Sequence, residues 1–183
     1  MPTVIIRPDA ISSSSGFSDS GSTLLGKIND NNVNTGTAQN STSASIVCSF
    51  GNDSAYSGAT INSVTLSIIA AAGGRTQETS VDFVLASLET NVQSGTIGVE
   101  GAEPATFSGS ALTSSVNTSA KVDGLTATIE PDANGTNLFE VFITVDYTAA
   151  SGYGHKVGTV AAASISKVNT IATASIGKIN TVD

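Results

Sequence analysis

Five stretches of this chain place an apolar side chain at every second position, a period that suits an extended strand with one buried face and no helix. The stretch ASIVCSF points Ile46, Cys48 and Phe50 to one side, and SVTLSII does the same with Val64, Leu66 and Ile68, leaving Thr65 and Ser67 opposite. VDFVLASL aligns Val81, Phe83 and Leu85, while LTATIE aligns Leu125, Ala127 and Ile129 against Thr126, Thr128 and Glu130. The longest, LFEVFITVDY, sets Phe139, Val141, Ile143, Val145 and Tyr147 on the expected inner face and Glu140, Thr144 and Asp146 on the outer one. Phe142 interrupts that outer face and calls for a cover.

Turn chemistry separates these runs. AAGGRTQET, QSGTIGVEGAEP and EPDANGTN are rich in Gly, Pro, Asn and Asp, which supply positive φ and Asx hydrogen bonds. The strands number about eight, short and antiparallel, with TVIIR at 3–7 and TFSGSALTSSV at 106–116 among them. Their polar outer faces predict an all-β, two-sheet antiparallel β-sandwich of jelly-roll type. Residues 10–40, with one apolar island at Leu24 and Leu25, read as a polar loop or loosely attached arm. The expected organisation is an N-terminal strand and arm over 1–40, a sandwich core over 41–150 to which strand 3–7 is added, and a separate segment from 152 to 183.

That last segment repeats itself at eleven-residue intervals: Lys156, Lys167 and Lys178; Val157, Val168 and Ile179; Thr159, Thr170 and Thr181; Val160, Ile171 and Val182. β-Branched residues, Gly and Asn in every unit favour short strands and turns over a helical coil. Its eight Val and Ile side chains are too few to offset the ordering of the whole segment by their own burial. Val157, Val160, Ile165, Val168, Ile171, Ile176, Ile179 and Val182 are therefore expected to form an assembly interface, against neighbouring subunits or a sheet edge of another protein.

The charge balance narrows the partners. Seven basic residues are scattered along a chain of net charge −8, leaving no patch that would track a phosphate backbone, so nucleic acid is excluded. The longest apolar run, LSIIAAA, falls well short of the roughly 20 residues of a membrane helix. MPTVIIRPDA is too short in apolar length for a secretory signal and is broken by Arg7 and Pro8, which predicts a protein that matures where it is made or leaves by cell lysis.

Chemistry-bearing residues are few. Cys48 is the single cysteine and reads as a small core residue. Asp30, Asn32 and Asn34 alternate as the start of a calcium loop does, but Thr35 replaces the turn glycine and Ser41 the bidentate Glu, so they are a weak metal candidate beside an Asx-rich loop. His155 has no nucleophile and acid in a recognisable constellation around it, and one Cys with one His cannot make a zinc cluster. Glu78, Glu89, Glu100, Glu103, Glu130 and Glu140 show no spacing that selects a glycosidase pair. Tyr56, Tyr147, Tyr153, Phe17 and Phe107 are the candidates for a sugar-stacking platform. No catalytic residue and no cofactor is expected.

With these residues in view, the chain resembles bacteriophage virion structural proteins. The C-terminal units are similar to the I-x-K-[VI]-N-[GT]-V repeats of tail and capsid-associated proteins, with Asn169-Thr170 and Asn180-Thr181 where Asn-Gly is usual. KINDNNVNT, SASIVCSF, SGATINSVTLSIIAA and FEVFITVDY are similar to jelly-roll modules of phage head-surface and tail proteins. The resemblance implies a non-enzymatic structural protein made in the bacterial host cytoplasm and displayed on the virion surface. It further implies contacts with capsid or tail subunits and a homo-oligomer such as a trimer. Capsid decoration is the first expectation; a tail fibre component or a carbohydrate-binding adhesin module recognising host-surface glycans is the alternative.

Overall fold

The structure is a computed structural model describing residues 1–38, 43–73, 78–132 and 136–149, with two short paired strands at 167–168 and 171–172. The chain forms two units, Met1–Thr148 and Ala149–Asp183.

The first unit is a two-sheet antiparallel sandwich. One sheet runs β1 (Thr3–Ile6), β10 (Asn137–Thr148), β5 (Thr60–Ala71) and β8 (Ala105–Ser108), with β3 (Thr37–Ala38) pairing β10. The other runs β2 (Pro8–Ser15), β4 (Ser45–Phe50), β9 (Leu125–Pro131), β6 (Glu78–Ser87) and β7 (Thr90–Glu100). Successive strands mostly cross from one sheet to the other, which is the jelly-roll habit. The predicted alternation becomes the core: Ile46, Cys48, Val64, Leu66, Ile68, Val81, Leu85, Ala127, Ile129, Val141, Ile143 and Val145 are each fully buried between the sheets.

Four expectations change. Residues 10–40 are no loose arm: β2 pairs β4 from Pro8 to Ser15, and Gly21–Ile28 forms helix α1. Leu24 and Ile28, four apart and so on one helical face, are fully buried, and the Asn29 side chain ties the helix end to the Pro8 carbonyl at 3.0 Å. The stretch QSGTIGVEGAEP is not a turn over its first half, because β7 extends to Glu100 and buries Ile97 and Val99. Its Gly95 lies opposite Phe83, whose ring would meet an added Cβ at 3.2 Å, so the glycine makes room for an aromatic ring inside a strand. The stretch TFSGSALTSSV is a strand only over Ala105–Ser108, followed by a single bridge from Leu112 to Val64.

The fourth change lies in β10. A register irregularity between Leu138 and Glu140 shifts the facing of its first residues, so Leu138 is fully buried, Phe139 half-buried, and Glu140 buried at 1% exposure. Phe139 instead lies over Gly36, where a Cβ would stand 2.7 Å from the ring. The buried Glu140 carboxylate receives Arg7 Nε at 3.1 Å, and the second arm of that guanidinium donates to the Asn31 side chain. Arg7 also stands 6.0 Å over the Phe142 ring, which supplies the cover that Phe142 required.

Removing Arg7 would leave a buried carboxylate without its cation. Arg7→Ala is expected to lower unfolding free energy by about 3 kcal/mol in urea titration, and Arg7→Met with Glu140→Leu to recover most of it.

Candidate functional site

A polar depression of about 300 Å³ opens beside the turn that follows β4, lined by Asn52, Asp53, Ser54, Tyr56, Ser57, Ser119 and Asp123. Asp53 builds one wall by capping the 3₁₀ turn Ser54–Tyr56, its Oδ1 accepting from the Ala55 amide at 2.8 Å. The Asp53 amide donates to the Tyr56 hydroxyl at 3.2 Å, and that hydroxyl donates to Asp123 Oδ1 at 2.8 Å. Burial, with the Asp123 carboxylate next to it, pushes the Tyr56 phenol up to about 12. Asp123 arrives at the end of helix α2 (Ser119–Asp123), whose Val122 anchors it in the core. Carboxylate and hydroxyl oxygens at such a mouth suit hydrogen bonds to a polyol. Among the described residues no imidazole stands near Ser54, Ser57 or Ser119 to activate them, and His155 lies outside the described residues.

Among the described residues the expected aromatic platform does not form. Tyr56 is 1% exposed and Phe17 8%, both as core members, while Phe107 and Tyr147 pack partly against the core. Tyr56 keeps its ring in the core and turns its hydroxyl to Asp123 at the depression's wall. Tyr153 lies outside the described residues.

Asp30, Asn32 and Asn34 do sit together, but they spend their oxygens locally. Asp30 Oδ1 accepts from the Asn32 amide at 2.9 Å, and Asn32 Oδ1 accepts from the Asn34 amide at 3.0 Å. The other Asp30 oxygen accepts from the Thr35 hydroxyl. These are consecutive Asx turns, with Asn31 in the left-handed region at φ 58°. Among the described residues no group of three or more His, Cys, Asp or Glu could hold a metal.

Cys48 is fully buried on β4, and burial pushes its thiol up to about 12. Of the eight assembly residues, Val168 and Ile171 fall on described backbone: β11 (Lys167–Val168) pairs antiparallel with β12 (Ile171–Ala172), Val168 directly opposite Ile171. Val157, Val160, Ile165, Ile176, Ile179 and Val182 lie outside the described residues. The polar depression was missed by sequence reasoning; the only local signal was NDSAY at 52–56, a capping sequence with no apolar period.

No family model matches the chain, and no curated protein matches it. Among solved structures it is similar to a Clostridium thermocellum N-terminal endo-1,4-β-D-xylanase 10B, CBM22-1–GH10 modules complexed with xylohexaose, at 11% identity and a TM-score of 0.44. The alignment covers 84% of this chain and 30% of the xylanase chain.

Two outcomes follow from the burial of Cys48 and Tyr56. The folded protein at pH 8 is expected to leave Cys48 unmodified by a thiol reagent and to react fully once unfolded in urea, as mass spectrometry would read. Both Tyr56 and Cys48 have folded values raised above their ordinary 10.0 and 9.0, so each favours the native state while neutral. Their contribution is complete below pH 9 and is lost as pH rises from 9 through about 12. The urea midpoint should therefore hold between pH 7 and 8.5 and fall steadily above 9, with a shallower fall in Tyr56→Phe.

Proposed function

We propose that this chain is a non-enzymatic structural protein of a bacteriophage virion, a capsid decoration protein with its sandwich outward and its C-terminal repeats contributing to assembly. The observation that carries this reading is the threefold eleven-residue repeat, whose middle unit contains the β11–β12 pair. A two-stranded pair is at best marginally stable in water, so a chain that carries such a unit three times has use for another surface to complete it. Within the sandwich Arg7 pairs with Glu140 and Lys27 with Asp19 at 2.8 Å, and the Ser49 hydroxyl donates to Asp9 at 3.0 Å. Capsid or tail subunits are the partners on this reading, and the virion surface is the location.

A second reading, a carbohydrate-binding module, draws on the Asp53–Asp123 depression. It would bind through carboxylate and hydroxyl oxygens without a stacking ring.

Deletion of residues 152–183 separates the two. For the virion protein, the truncated chain is expected to be lost from purified particles while its sandwich still melts cooperatively. For the glycan binder, the deletion should leave glycan-array binding intact, and Asp53→Ala with Asp123→Ala should abolish it. Particles that incorporate the truncated chain at the full level would refute the virion reading as stated.

A further inference from the structure

The four sheet edges of the sandwich are not alike. β1 and β8, at the two ends of the first sheet, are only four residues long. β2, at one end of the second sheet, begins with Pro8 and carries register irregularities at Pro8/Ala10 and Ile11/Ser13. Short length, proline and irregular register are the devices by which a sheet refuses another strand. β7, at the opposite end, has neither the short length nor the proline. It runs eleven residues from Thr90 to Glu100 without proline or lysine, and its register against β6 slips only near the hairpin end, between Leu85 and Ala86. Among the described residues β6 is its only strand partner, and Ser94, Gly95, Thr96 and Gly98 along it are exposed. Ile97 and Val99 are buried beneath, so the strand is anchored while, among the described residues, no strand pairs its outer row of amides and carbonyls.

The chain also contains strands in need of a sheet. Of its basic residues, Lys156, Lys167 and Lys178 fall in 149–183 with one acid, Asp183, a formal +2. The four basic and fourteen acidic residues of 1–148 give −10 there. Glu89 and Glu100 flank β7 at its two ends. A second β7 brought alongside antiparallel would set these carboxylates near one another, whereas the lysine-bearing repeat meets them with opposite charge.

We propose that the open edge of β7 accepts a strand from the C-terminal repeat of a second copy of this chain. Backbone pairing along Ser94–Gly98 holds the strand, and the repeat lysines set its preference for this acidic edge. The proposal rests on the assembly reading above and names its acceptor. Because each copy carries one acceptor edge and three repeat units, the contact is heterologous: a chain that receives a strand on β7 keeps its own repeats to give.

The test uses the full chain in three forms: wild type, Gly98→Lys, and Lys156→Glu with Lys167→Glu and Lys178→Glu. An added Cβ at Gly98 meets nothing within 4 Å, so the lysine guards the edge without disturbing the packing. The triple variant leaves the sandwich untouched and keeps the test decisive should Gly98→Lys misfold. Light scattering reads mass across a concentration series, and hydrogen exchange reads the Ser94–Gly98 amides. Wild type is expected to rise above the 18.2 kDa of one chain and to slow those amides about tenfold or more, with both variants returning to one chain's mass and fast exchange. Association with fast-exchanging β7 amides would overturn the edge as acceptor and leave the assembly reading standing. Association that survives the triple variant would overturn the repeat as donor. A wild type that stays at one chain's mass at every concentration would overturn the second copy as partner, whether or not β7 is protected.

Discussion

A single apolar layer, one side chain deep from each sheet, holds the sandwich together, and every other feature of the first unit is arranged around keeping it filled and dry. Ile143 and Val145 from β10, Leu66 and Val64 from β5, and Ile129 and Ala127 from β9 meet there with no exposed surface. Each strand contributes only alternate residues to it, so any departure from the period of two must be absorbed locally. The irregularity near Phe139 is such a departure: Phe139 is left half-buried, and the Glu140 carboxylate beside it is buried. That charge is tolerable because Arg7, on the short link between β1 and β2, reaches across to it. The same arginine shields Phe142, so one cation answers both the buried acid and the outward ring.

Small residues make the layer possible where rings are large. Phe83 occupies its place because Gly95 and Gly109 both decline to fill it, a Cβ at Gly109 standing 3.0 Å from the ring tip. A glycine in the middle of β7 would ordinarily weaken a strand, yet here it lets the core carry an aromatic close to a sheet edge. Of the four described strands that end the two sheets, β7 is the longest, with eleven residues against eight in β2 and four each in β1 and β8.

The strands that pack between sheets were legible because burial on one face imposes a period that survives in the residues themselves: Ile46, Cys48 and Phe50, or Val81, Phe83 and Leu85, announce their side without reference to anything distant. Helix α1 was not, although Leu24 and Ile28 carry its spacing, because eight residues hold too few turns to outweigh the Ser, Gly and Asn around them. β7 was read as turn from its glycines, since the reason for Gly95 is a ring twelve positions earlier in the chain. The Tyr56 depression was out of reach for a similar reason: Asp53 and Asp123 are seventy residues apart and meet only through the packing of α2.

By itself, then, the sequence determined the class of the fold, the core residues of its strictly alternating strands and the existence of a repeated segment distinct in charge from what precedes it. Those properties follow from short-range periodicity and composition, which each stretch carries independently of its neighbours. Only the tertiary structure decided which glycine faces which ring, which acid is buried beneath which arginine, that Tyr56 turns its ring inward, and that β7 ends the second sheet. Each of these depends on a pairing between residues far apart in the chain, and such pairings are settled by the register of strands against one another, which no local pattern encodes.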